Sequence, residues 1–311
     1  MQLAGPKIWL WLLVILLAGC SNRGGLDDGG FDDGFDGGDR VVSPLRIGSE
    51  ETLEIATWNI QNFPANSATA NRVAALIADM DIDLVAVQEI ADVTAFEQIL
   101  DQLDSHAGVL SDHEYSSGEY QKTGFIYRKD MIRIRGVESI FEGDWYAFPR
   151  PPLKAQIEVT GLGETLTMDV INVHLKADTS QESEDRRREA CEKLKEHVDT
   201  IINDGLESEV IILGDFNDRL DDDPQDNVFS VFLDDPATYE FTSQELADQG
   251  EFSLIPWHNL VDHILISADL QDEYFDGHTL VKHLDTEIFA YDYVDEVSDH
   301  RPVVAIFPMG E

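Results

Sequence analysis

Residues 210–217 read Val-Ile-Ile-Leu-Gly-Asp-Phe-Asn: four branched apolar residues that stop at a glycine and lead directly into an acid and an amide. A short, unbroken apolar run of this kind is typical of a buried β-strand. Asp215 and Asn217 follow that strand, and ligands of open α/β sheets bind at strand ends. We therefore expect the functional site of this protein at the same place.

The same arrangement of an apolar run beside polar residues recurs along the chain. Strands are expected over Leu53–Asn59, Asp83–Gln88, Gly124–Arg128, Lys154–Val159, Thr165–Val173, Val210–Leu213, Asp262–Ile266 and Val303–Phe307. The polar residues at six of these strand ends are Asn59, Glu89, His174, Asp215 with Asn217, Asp262, and Asp299 with His300. Each of them alone is weak evidence, because a lone acid after a strand is usually a turn or capping residue. Their joint occurrence predicts one shared site.

Helical periodicity lies between several of the strands, over Ala68–Met80, Thr94–Leu103 and Ser183–Ile202. Strands that alternate with helices, together with hairpins, indicate an α/β layered fold with mixed sheets. Residues 51–311 show no internal repeat and no boundary rich in proline or serine, so one catalytic domain is expected there. Cys191 lies on the third helix, and core packing is its expected role.

The amino-acid composition excludes several classes of protein. Hydrophobic residues make up 43% of the 311 residues, which excludes a wholly disordered or collagen-like chain. Two cysteines exclude a disulfide scaffold and a cysteine-rich zinc module.

The charge is strongly unbalanced. The chain carries 62 acids and 21 bases, and its net charge of −41 repels nucleic acid and anionic membranes at long range. Eleven of the bases fall between Lys122 and Arg188, which allows a local basic surface near the site. Alternatively, the excess of carboxylates reflects a high-salt habitat, where it keeps a protein soluble and where screening weakens the repulsion.

The first twenty residues have the pattern of a secretory leader. Lys7 precedes the apolar run Ile8–Ala18, which is shorter than the ~20 residues that span a bilayer as a helix. The run closes with Leu17-Ala18-Gly19-Cys20, which resembles the lipobox of bacterial lipoproteins, where the cysteine is lipidated. Residues 1–20 are therefore interpreted as a lipoprotein signal peptide that ends at Cys20. The alternatives are an ordinary signal peptide and a short buried helix.

Residues 21–50 are expected to form a flexible linker, because the stretch Gly24–Asp39 consists almost wholly of glycine and aspartate. A calcium-binding repeat is the rival interpretation, although the spacing fits no EF-hand loop. If the lipobox resemblance holds, Ser21 implies sorting to the outer membrane. A lipid-anchored protein of the bacterial cell envelope is thus expected.

The residue types at the strand ends predict a chemistry. Carboxylate and amide oxygens are hard ligands suited to Mg²⁺, with Mn²⁺ and Ca²⁺ as alternatives. Two histidines add acid and base groups that titrate near neutral pH. This combination suits the metal-assisted attack of water on a phosphate ester.

The motifs in order resemble the endonuclease/exonuclease/phosphatase superfamily, and within it the deoxyribonuclease I branch. The resemblance spans about Leu53 to Phe307. The segments that carry it are Thr57-Trp58-Asn59-Ile60-Gln61-Asn62-Phe63, Gln88-Glu89, Phe125-Ile126-Tyr127-Arg128, Pro149-Arg150-Pro151-Pro152, Asn172-Val173-His174-Leu175, Gly214-Asp215-Phe216-Asn217, Asp262-His263-Ile264-Leu265 and Ser298-Asp299-His300-Arg301-Pro302-Val303. It implies a four-layer α/β sandwich with two mixed β-sheets.

The resemblance also implies which residues hold a metal. Glu89 would be the main Mg²⁺ ligand, helped by Asn59 and Asp299. Arg150 would clamp the substrate phosphate with its planar guanidinium, the alternative being a solvated arginine beside prolines.

Catalytic roles follow from the same resemblance. His300 would be the imidazole beside the scissile phosphate, and Asp262 would fix its tautomer. Asp215 and Asn217 would position the attacking water, and His174 would be the second imidazole. Either His300 or Asp215 accepts the water proton in this scheme. His263 is expected to point to the opposite face of its strand.

The chain departs from that branch in two respects. The branch has a glutamate beside the second histidine, and Gln121 aligns there, so the role of His174 is less supported. The loop after Glu89 lacks the arginine that reaches the DNA minor groove, which makes duplex DNA a weaker expectation than phosphodiester chemistry.

We therefore expect a surface-tethered nuclease, with a nucleic-acid substrate, DNA or RNA, and a monomeric state. The alternatives are a sphingomyelinase-like phospholipid phosphodiesterase, for which Trp145, Tyr146 and Phe148 would form an aromatic wedge, and a small-molecule phosphatase. A non-catalytic binding module is disfavoured, because every polar residue of the expected site is present.

Overall fold

Two six-stranded sheets form the centre of the molecule. The computed structural model describes residues 43–161, 165–205 and 209–309. Its strands are β1 (Thr52–Phe63), β2 (Leu84–Ile90), β3 (His106–Leu110), β4 (Lys122–Arg128), β5 (Ile132–Ser139), β6 (Leu153–Val159), β7 (Leu166–His174), β8 (Val210–Asp215), β9 (Tyr239–Phe241), β10 (Asp262–Ser267), β11 (His278–Val281) and β12 (Val303–Pro308).

Three long helices and several short ones accompany the strands. They are α1 (Thr69–Met80), α2 (Val93–Leu100), α3 (Gln181–Asn203), α4 (Ser230–Leu233), α5 (Gln244–Gln249), α6 (Gln271–Tyr274), α7 (Leu284–Glu287) and α8 (Tyr293–Glu296), with a 3-10 turn at Ala268–Leu270. None of the helices in the described part of the chain is both long and apolar enough to cross a membrane.

Both sheets are mixed, as the sequence predicts. The first has the order β11-β12-β1-β2-β4-β3 and the second β5-β6-β7-β8-β10-β9. The β1–β2 and β7–β8 pairs are parallel, whereas β1–β12 and β8–β10 are antiparallel. Each parallel pair brings two strand carboxyl ends side by side. The predicted four-layer α/β sandwich with two mixed β-sheets is confirmed.

The core follows the alternation of side chains along the strands. In β1, Leu53 and Ile55 join a buried cluster shared with the second sheet, while Ala56 and Trp58 join a cluster with α1 and α2. The helix α3 packs on the second sheet, and Cys191 is fully buried there. Burial raises the pKa of the Cys191 thiol, so a core role fits this residue.

A buried amide network fastens the two sheets together near the ends of the parallel strands. Asn172, in β7, donates to the carbonyl oxygens of Val87 at 3.1 Å and Gly124 at 2.8 Å, both in the first sheet. Its own side-chain oxygen accepts a 2.8 Å hydrogen bond from Gln88. Because these groups are buried, their hydrogen bonds fix the distance between the sheets.

The predicted leader and linker lie only partly within the residues that the structure describes. The leader (1–20), Cys20 and the linker through residue 42 lie outside the described residues. Residues 43–50, expected in the linker, contact the domain: Ile47 donates to the carbonyl of Met80 at 2.9 Å, and Arg46 pairs with Asp81 at 2.7 Å. Part of the stretch expected as linker, from Arg46 onward, therefore contacts the domain.

Candidate active site

The register of the second sheet places two acids opposite each other. Asp262, the first residue of β10, is the direct partner of Asp215, the last residue of β8. His300 arrives from the loop before β12, and its Nδ1 lies 2.7 Å from Asp262 Oδ2. Asp215, Asp262 and His300 are all buried and offer one atom each within 4.8 Å of one another.

The glycine before Asp215 is required by the close approach of β7. Gly214 has φ +147°, and a Cβ there would lie 2.0 Å from the carbonyl oxygen of Val173. Any other residue would push β8 away from β7, so this glycine lets Asp215 pair with His174 across the parallel ladder.

Asp215 is held at both carboxylate oxygens. Asn59 donates to its Oδ2 at 2.9 Å, and the backbone amide of Asn217 donates to its Oδ1 at 2.9 Å. The Asn217 side chain itself donates to the Leu175 carbonyl at 3.3 Å. Burial, followed by the charge of Asp262, raises the pKa of Asp215 to about 7.

Glu89 reaches the site through strained backbone. Its φ of +63° is left-handed, and the β1–β2 and β2–β4 ladders both shift register beside it. Gln61, Asn62 and Asn217 also have positive φ values. Such conformations cost about 1–3 kcal/mol each in a residue other than glycine, and they concentrate where side chains must be aimed at a ligand. The Asn62 amide donates to Glu89 Oε2 at 2.8 Å.

His174 is fully buried between acids. Its Nε2 lies 3.5 Å from Asp215 Oδ2 and 3.7 Å from Glu89 Oε1. Burial, followed by the charges of Arg150 and His300, lowers its pKa well below the ordinary value. Its Nδ1 is buried without a hydrogen-bond partner.

Gln121, which aligns with the glutamate expected beside His174, bonds elsewhere. Its oxygen accepts from Arg150 at 2.6 Å and from the Tyr115 hydroxyl at 3.2 Å, and its nitrogen donates to Asn62. Gln121 thus ties Arg150 to the loop that holds Glu89, instead of supporting an imidazolium.

His300 has the most strongly organised surroundings of the site. Burial alone would lower its pKa, but the charges of Asp262, Asp215 and Asp299 outweigh burial and raise the pKa to about 10. Its Nε2 lies 4.0 Å from Asp299 Oδ1. Its backbone amide donates to Ser298 Oγ, and that hydroxyl donates to the carbonyl of Asn59 at 2.6 Å.

Two of these supporting residues were not assigned roles from sequence. Ser298 lies in a quoted motif, so its polar character was a visible signal. Tyr293 accepts from Trp58 at 3.1 Å and donates to the His300 carbonyl at 2.6 Å. No local pattern distinguishes Tyr293, because its partner lies 235 residues away in the chain.

His263 points away from the site, as strand alternation predicts. It is fully buried, with Nε2 2.9 Å from the Asp218 carbonyl and Nδ1 3.1 Å from Ser243 Oγ. Burial lowers its pKa to about 4.

The expected local basic surface is largely neutralised. Arg187 is buried and pairs with Asp218 at 2.7 Å, and Arg188 pairs with Glu184 at 2.9 Å. Arg186 donates to the backbone carbonyls of Trp145 and Tyr146. These three arginines anchor loops, so Arg150 carries the positive charge that the structure places beside the site residues.

The donor set fits a divalent cation. Glu89 and Asp299 have exposed side-chain fractions of 16% and 22%, and Asp262 Oδ1 is buried without a partner. Among the described residues, the four carboxylates of the site form ion pairs only with its two histidines, and no lysine pairs with any of them. Asp262 and His300 are bonded to each other, so Glu89 and Asp299 provide the freer oxygen ligands. The Asn59 oxygen accepts a 2.9 Å hydrogen bond from the Gln61 amide and would have to share it with a metal. Such hard oxygen donors suit Mg²⁺.

Comparison with known proteins agrees with this arrangement. The model of the family described as "Endonuclease/Exonuclease/phosphatase family" matches residues 56–300. No match was found among curated proteins.

Three solved structures illustrate the likeness in fold. D. rerio TDP2 complexed with single strand DNA product is 15% identical, with a TM-score of 0.58, covering 82% of this chain and 98% of the other. An endonuclease/exonuclease/phosphatase from Bacteroides vulgatus is 15% identical, with a TM-score of 0.59 and coverages of 82% and 98%. The Bacteroides thetaiotaomicron mannosyl-6-phosphatase Bt3783 is 16% identical, with a TM-score of 0.58 and coverages of 81% and 98%. At these identities the likeness concerns the fold.

Proposed function

Because this chain belongs to the endonuclease/exonuclease/phosphatase family, we propose that it is a surface-tethered nuclease that hydrolyses phosphodiester bonds of DNA or RNA with a divalent metal. The expectation of an enzyme, a metal-dependent phosphodiester hydrolase, is confirmed by the family. The nucleic-acid substrate, the tether and the identity of the metal belong to the proposal.

The observation that carries the proposal is the buried Asp262–His300 pair. Asp262 holds His300 Nδ1 at 2.7 Å, which fixes the tautomer and leaves Nε2 for the substrate. Asp215 lies within 4.8 Å of this pair and has both oxygens fixed by hydrogen bonds. Asp215 therefore orients the attacking water, while His300 contacts the phosphate. Asp215, whose pKa is raised to about 7, can accept the water proton at neutral pH. His300, whose pKa is raised to about 10, can accept it only after losing its own proton, and the substitutions described in the Discussion distinguish the two.

Glu89, Asn59 and Asp299 would hold the metal, with Mg²⁺ favoured and Mn²⁺ or Ca²⁺ as alternatives. When bound, a divalent cation neutralises phosphate charge and stabilises the leaving oxygen. Arg150, which is tied through Gln121 to the Glu89 loop, would clamp a non-bridging phosphate oxygen. His174, buried between Glu89 and Asp215, would donate a hydrogen bond to the phosphate or to the leaving oxygen.

Two observations support a nucleic-acid substrate. D. rerio TDP2, which has this fold, was solved with a single strand DNA product. The site is rimmed on the Arg150 side by exposed aromatic residues, which suit a polymer with flat bases. The tether is supported by the leader sequence that ends at Cys20 and by the glycine- and aspartate-rich stretch behind it.

A phosphomonoester is the second candidate, favoured by the fold likeness to the mannosyl-6-phosphatase. The same donor set would serve such a substrate, because both kinds of ester are hydrolysed by attack of water on phosphorus with loss of one alkoxide.

A substrate panel tests the proposal. Purified chain, with Mg²⁺ or with EDTA, is given supercoiled plasmid, single-stranded DNA, RNA, sphingomyelin, inositol phosphate and mannose 6-phosphate. We expect Mg²⁺-dependent cleavage of nucleic acid that His300→Ala abolishes. Hydrolysis confined to the lipid or to the sugar phosphates would replace the nuclease by one of the alternatives. For the tether, labelled palmitate should enter the full chain, and Cys20→Ser should prevent it.

A further inference from the structure

An aromatic cluster lies beside the site on the side of Arg150. It consists of the exposed Tyr115 and Trp145 and of the half-buried His113, which contacts both, and we name it the aromatic platform. The His113 ring centroid lies 5.0 Å from that of Tyr115 and 5.5 Å from that of Trp145. Trp145 is 54% exposed and Tyr115 is 43% exposed.

We propose that the aromatic platform stacks an unpaired nucleobase next to the scissile phosphodiester, so that single-stranded nucleic acid is the preferred substrate. This inference rests on the proposed nuclease function and names its substrate class. A base inside a duplex has both faces covered by its neighbours, whereas a single strand offers a free face to an aromatic side chain.

The loop that carries Trp145 is firmly anchored. Arg186 donates to the Trp145 carbonyl at 2.8 Å and to the Tyr146 carbonyl at 2.6 Å. Asp144 pairs with Lys193 of α3. Beneath the loop, Phe141 and Phe148 stack at 4.6 Å. The loop therefore holds Trp145 at the surface before any ligand binds. Stacking of a base on it costs little conformational entropy, because the loop is already ordered.

Direct contacts join the aromatic platform to the catalytic residues. The Arg150 guanidinium lies 5.9 Å from the Tyr115 ring centroid, and both side chains bond to the Gln121 oxygen. Gln121 donates to the side-chain oxygen of Asn62, and the backbone amide of Asn62 donates to Glu89 Oε2 at 2.8 Å. A phosphate clamped by Arg150 would thus lie close to the platform, within reach of the base of an adjoining nucleotide.

The surroundings of the platform favour a base over a membrane surface. Phe148 is buried, so the three-residue wedge expected from sequence is reduced to Trp145 and Tyr146. The exposed acids nearby in sequence, Asp112, Glu114 and Glu142, would face an anionic interface and be repelled by it. The same acids also repel the phosphates of a strand, so the contact that the platform offers to nucleic acid is to the neutral face of a base.

The test compares cleavage of a single-stranded oligonucleotide with cleavage of the same backbone in which abasic sugars replace the nucleosides, both in Mg²⁺. We expect Trp145→Ala to raise KM for the base-bearing strand roughly ten-fold. On the abasic strand its KM should stay close to that of the wild type. Trp145→Phe, which keeps a flat ring, should restore most of the loss. Phe275→Ala is the matched control, because Phe275 is 75% exposed and adjoins β11 at the far end of the first sheet.

Each result decides one question. Equal KM changes on both strands, or none on either, would overturn the platform while leaving the nuclease in place. Loss of binding of Trp145→Ala to sphingomyelin vesicles, with unchanged oligonucleotide kinetics, would assign the aromatic residues to a membrane instead. If the wild type cleaves neither strand but still cleaves plasmid, the platform alone is overturned. If it cleaves none of the nucleic acids, the proposed function is overturned and the platform with it.

Discussion

Asp262 and Asp215 are direct partners in the antiparallel β8–β10 ladder, and His300 bonds to the first of them at 2.7 Å. The strand register thus delivers two buried carboxylates to one imidazole. We expect His300→Ala to lower kcat roughly 10²–10⁴-fold, the usual contribution of a positioned acid or base. His283→Ala, which alters a half-exposed histidine paired with Glu251, should keep full activity. Steady-state kinetics with urea unfolding checks both, and an unchanged kcat in a folded His300→Ala protein would contradict the mechanism.

The two candidates for the water's proton acceptor respond differently to substitution. If Asp215 takes the proton, Asp215→Asn should be as inactive as His300→Ala, and Asp262→Asn should retain more activity than either. If His300 takes it, Asp262→Asn should lose about as much as His300→Ala, since Asp262 fixes the imidazole tautomer. The ranking of kcat among the three variants is the measurement.

Glu89→Ala should weaken metal binding. Because Glu89 is one of the two site carboxylates with exposed side-chain surface, its loss should raise the Mg²⁺ concentration for half-maximal activity and remove the Mg²⁺-dependent rise in Tm, which reports binding without turnover. EDTA should abolish wild-type activity and Mg²⁺ should restore it. Glu97→Ala, on the exposed face of α2, is the control for charge alone. An unaltered Mg²⁺ titration of Glu89→Ala would remove Glu89 from the metal site.

Asn172→Ala should destabilise the chain by roughly 3 kcal/mol, because it removes three buried hydrogen bonds: those to the Val87 and Gly124 carbonyls and the one that Gln88 donates. Asn71→Ala, which loses one exposed hydrogen bond to Gln102, should cost far less. The free energy of urea unfolding is the measurement. Comparable losses in the two variants would show that the amide network does not fasten the sheets.

Stability should fall as the pH rises above the acidic range. Burial, with the added charge of Asp83, raises the pKa of Glu54 from 4.5 to about 8. The folded chain therefore keeps a proton that the unfolded chain loses, and the stabilisation is full below pH 4.5 and lost as the pH rises through 8. The loss is at most about 1.4 kcal/mol per pH unit for one proton.

Glu54→Gln tests this, because an amide has no proton to lose. The variant should unfold at a higher urea concentration than the wild type at pH 8 and show a flatter dependence on pH. Glu51→Gln, an exposed neighbour, should behave like the wild type. A Glu54→Gln protein with the wild-type pH slope would disprove the assignment of that slope to the Glu54–Asp83 pair.

Activity on nucleic acid should rise with salt before it falls. The net charge of −41 repels the substrate, and the Debye length shrinks to about 10 Å at 0.1 M salt. A titration of cleavage rate against NaCl at fixed Mg²⁺ is the measurement. A rate that declines steadily from the lowest salt would show that local attraction outweighs the overall charge.

The four strands that the sequence analysis did not predict are the edge strands of the two sheets. The eight expected strands match the interior ones, whereas β3, β11, β5 and β9 lie at the borders of the two sheets. Edge strands bury fewer side chains, and β11 has one buried residue in four, so they lack the apolar runs used to find the others. Only β5 carried a usable signal, the alternation of isoleucine and arginine over Ile132–Arg135.

The candidate site was more predictable than the edges, because its residues follow buried strands. Glu89, His174, Asp215 and Asp262 lie at or next to the ends of strands that pattern alone located. Asn59, expected at a strand end, lies inside β1, where the ladder with β2 shifts register. What sequence did not provide was the partner of each residue. Gln121 bonds to Arg150, which lies 29 residues away in the chain, and to Asn62, which has left-handed backbone, and no local pattern encodes these contacts.

The amide network around Asn172 holds together two sheets, neither of which contains all the residues of the active site. Asn59 and Glu89 belong to one sheet, Asp215 and Asp262 to the other, and His300 comes from the last stretch of chain. Activity should therefore depend on the integrity of the whole domain. A proteolytic cut that lets the two sheets separate should abolish turnover even though every catalytic side chain is still present.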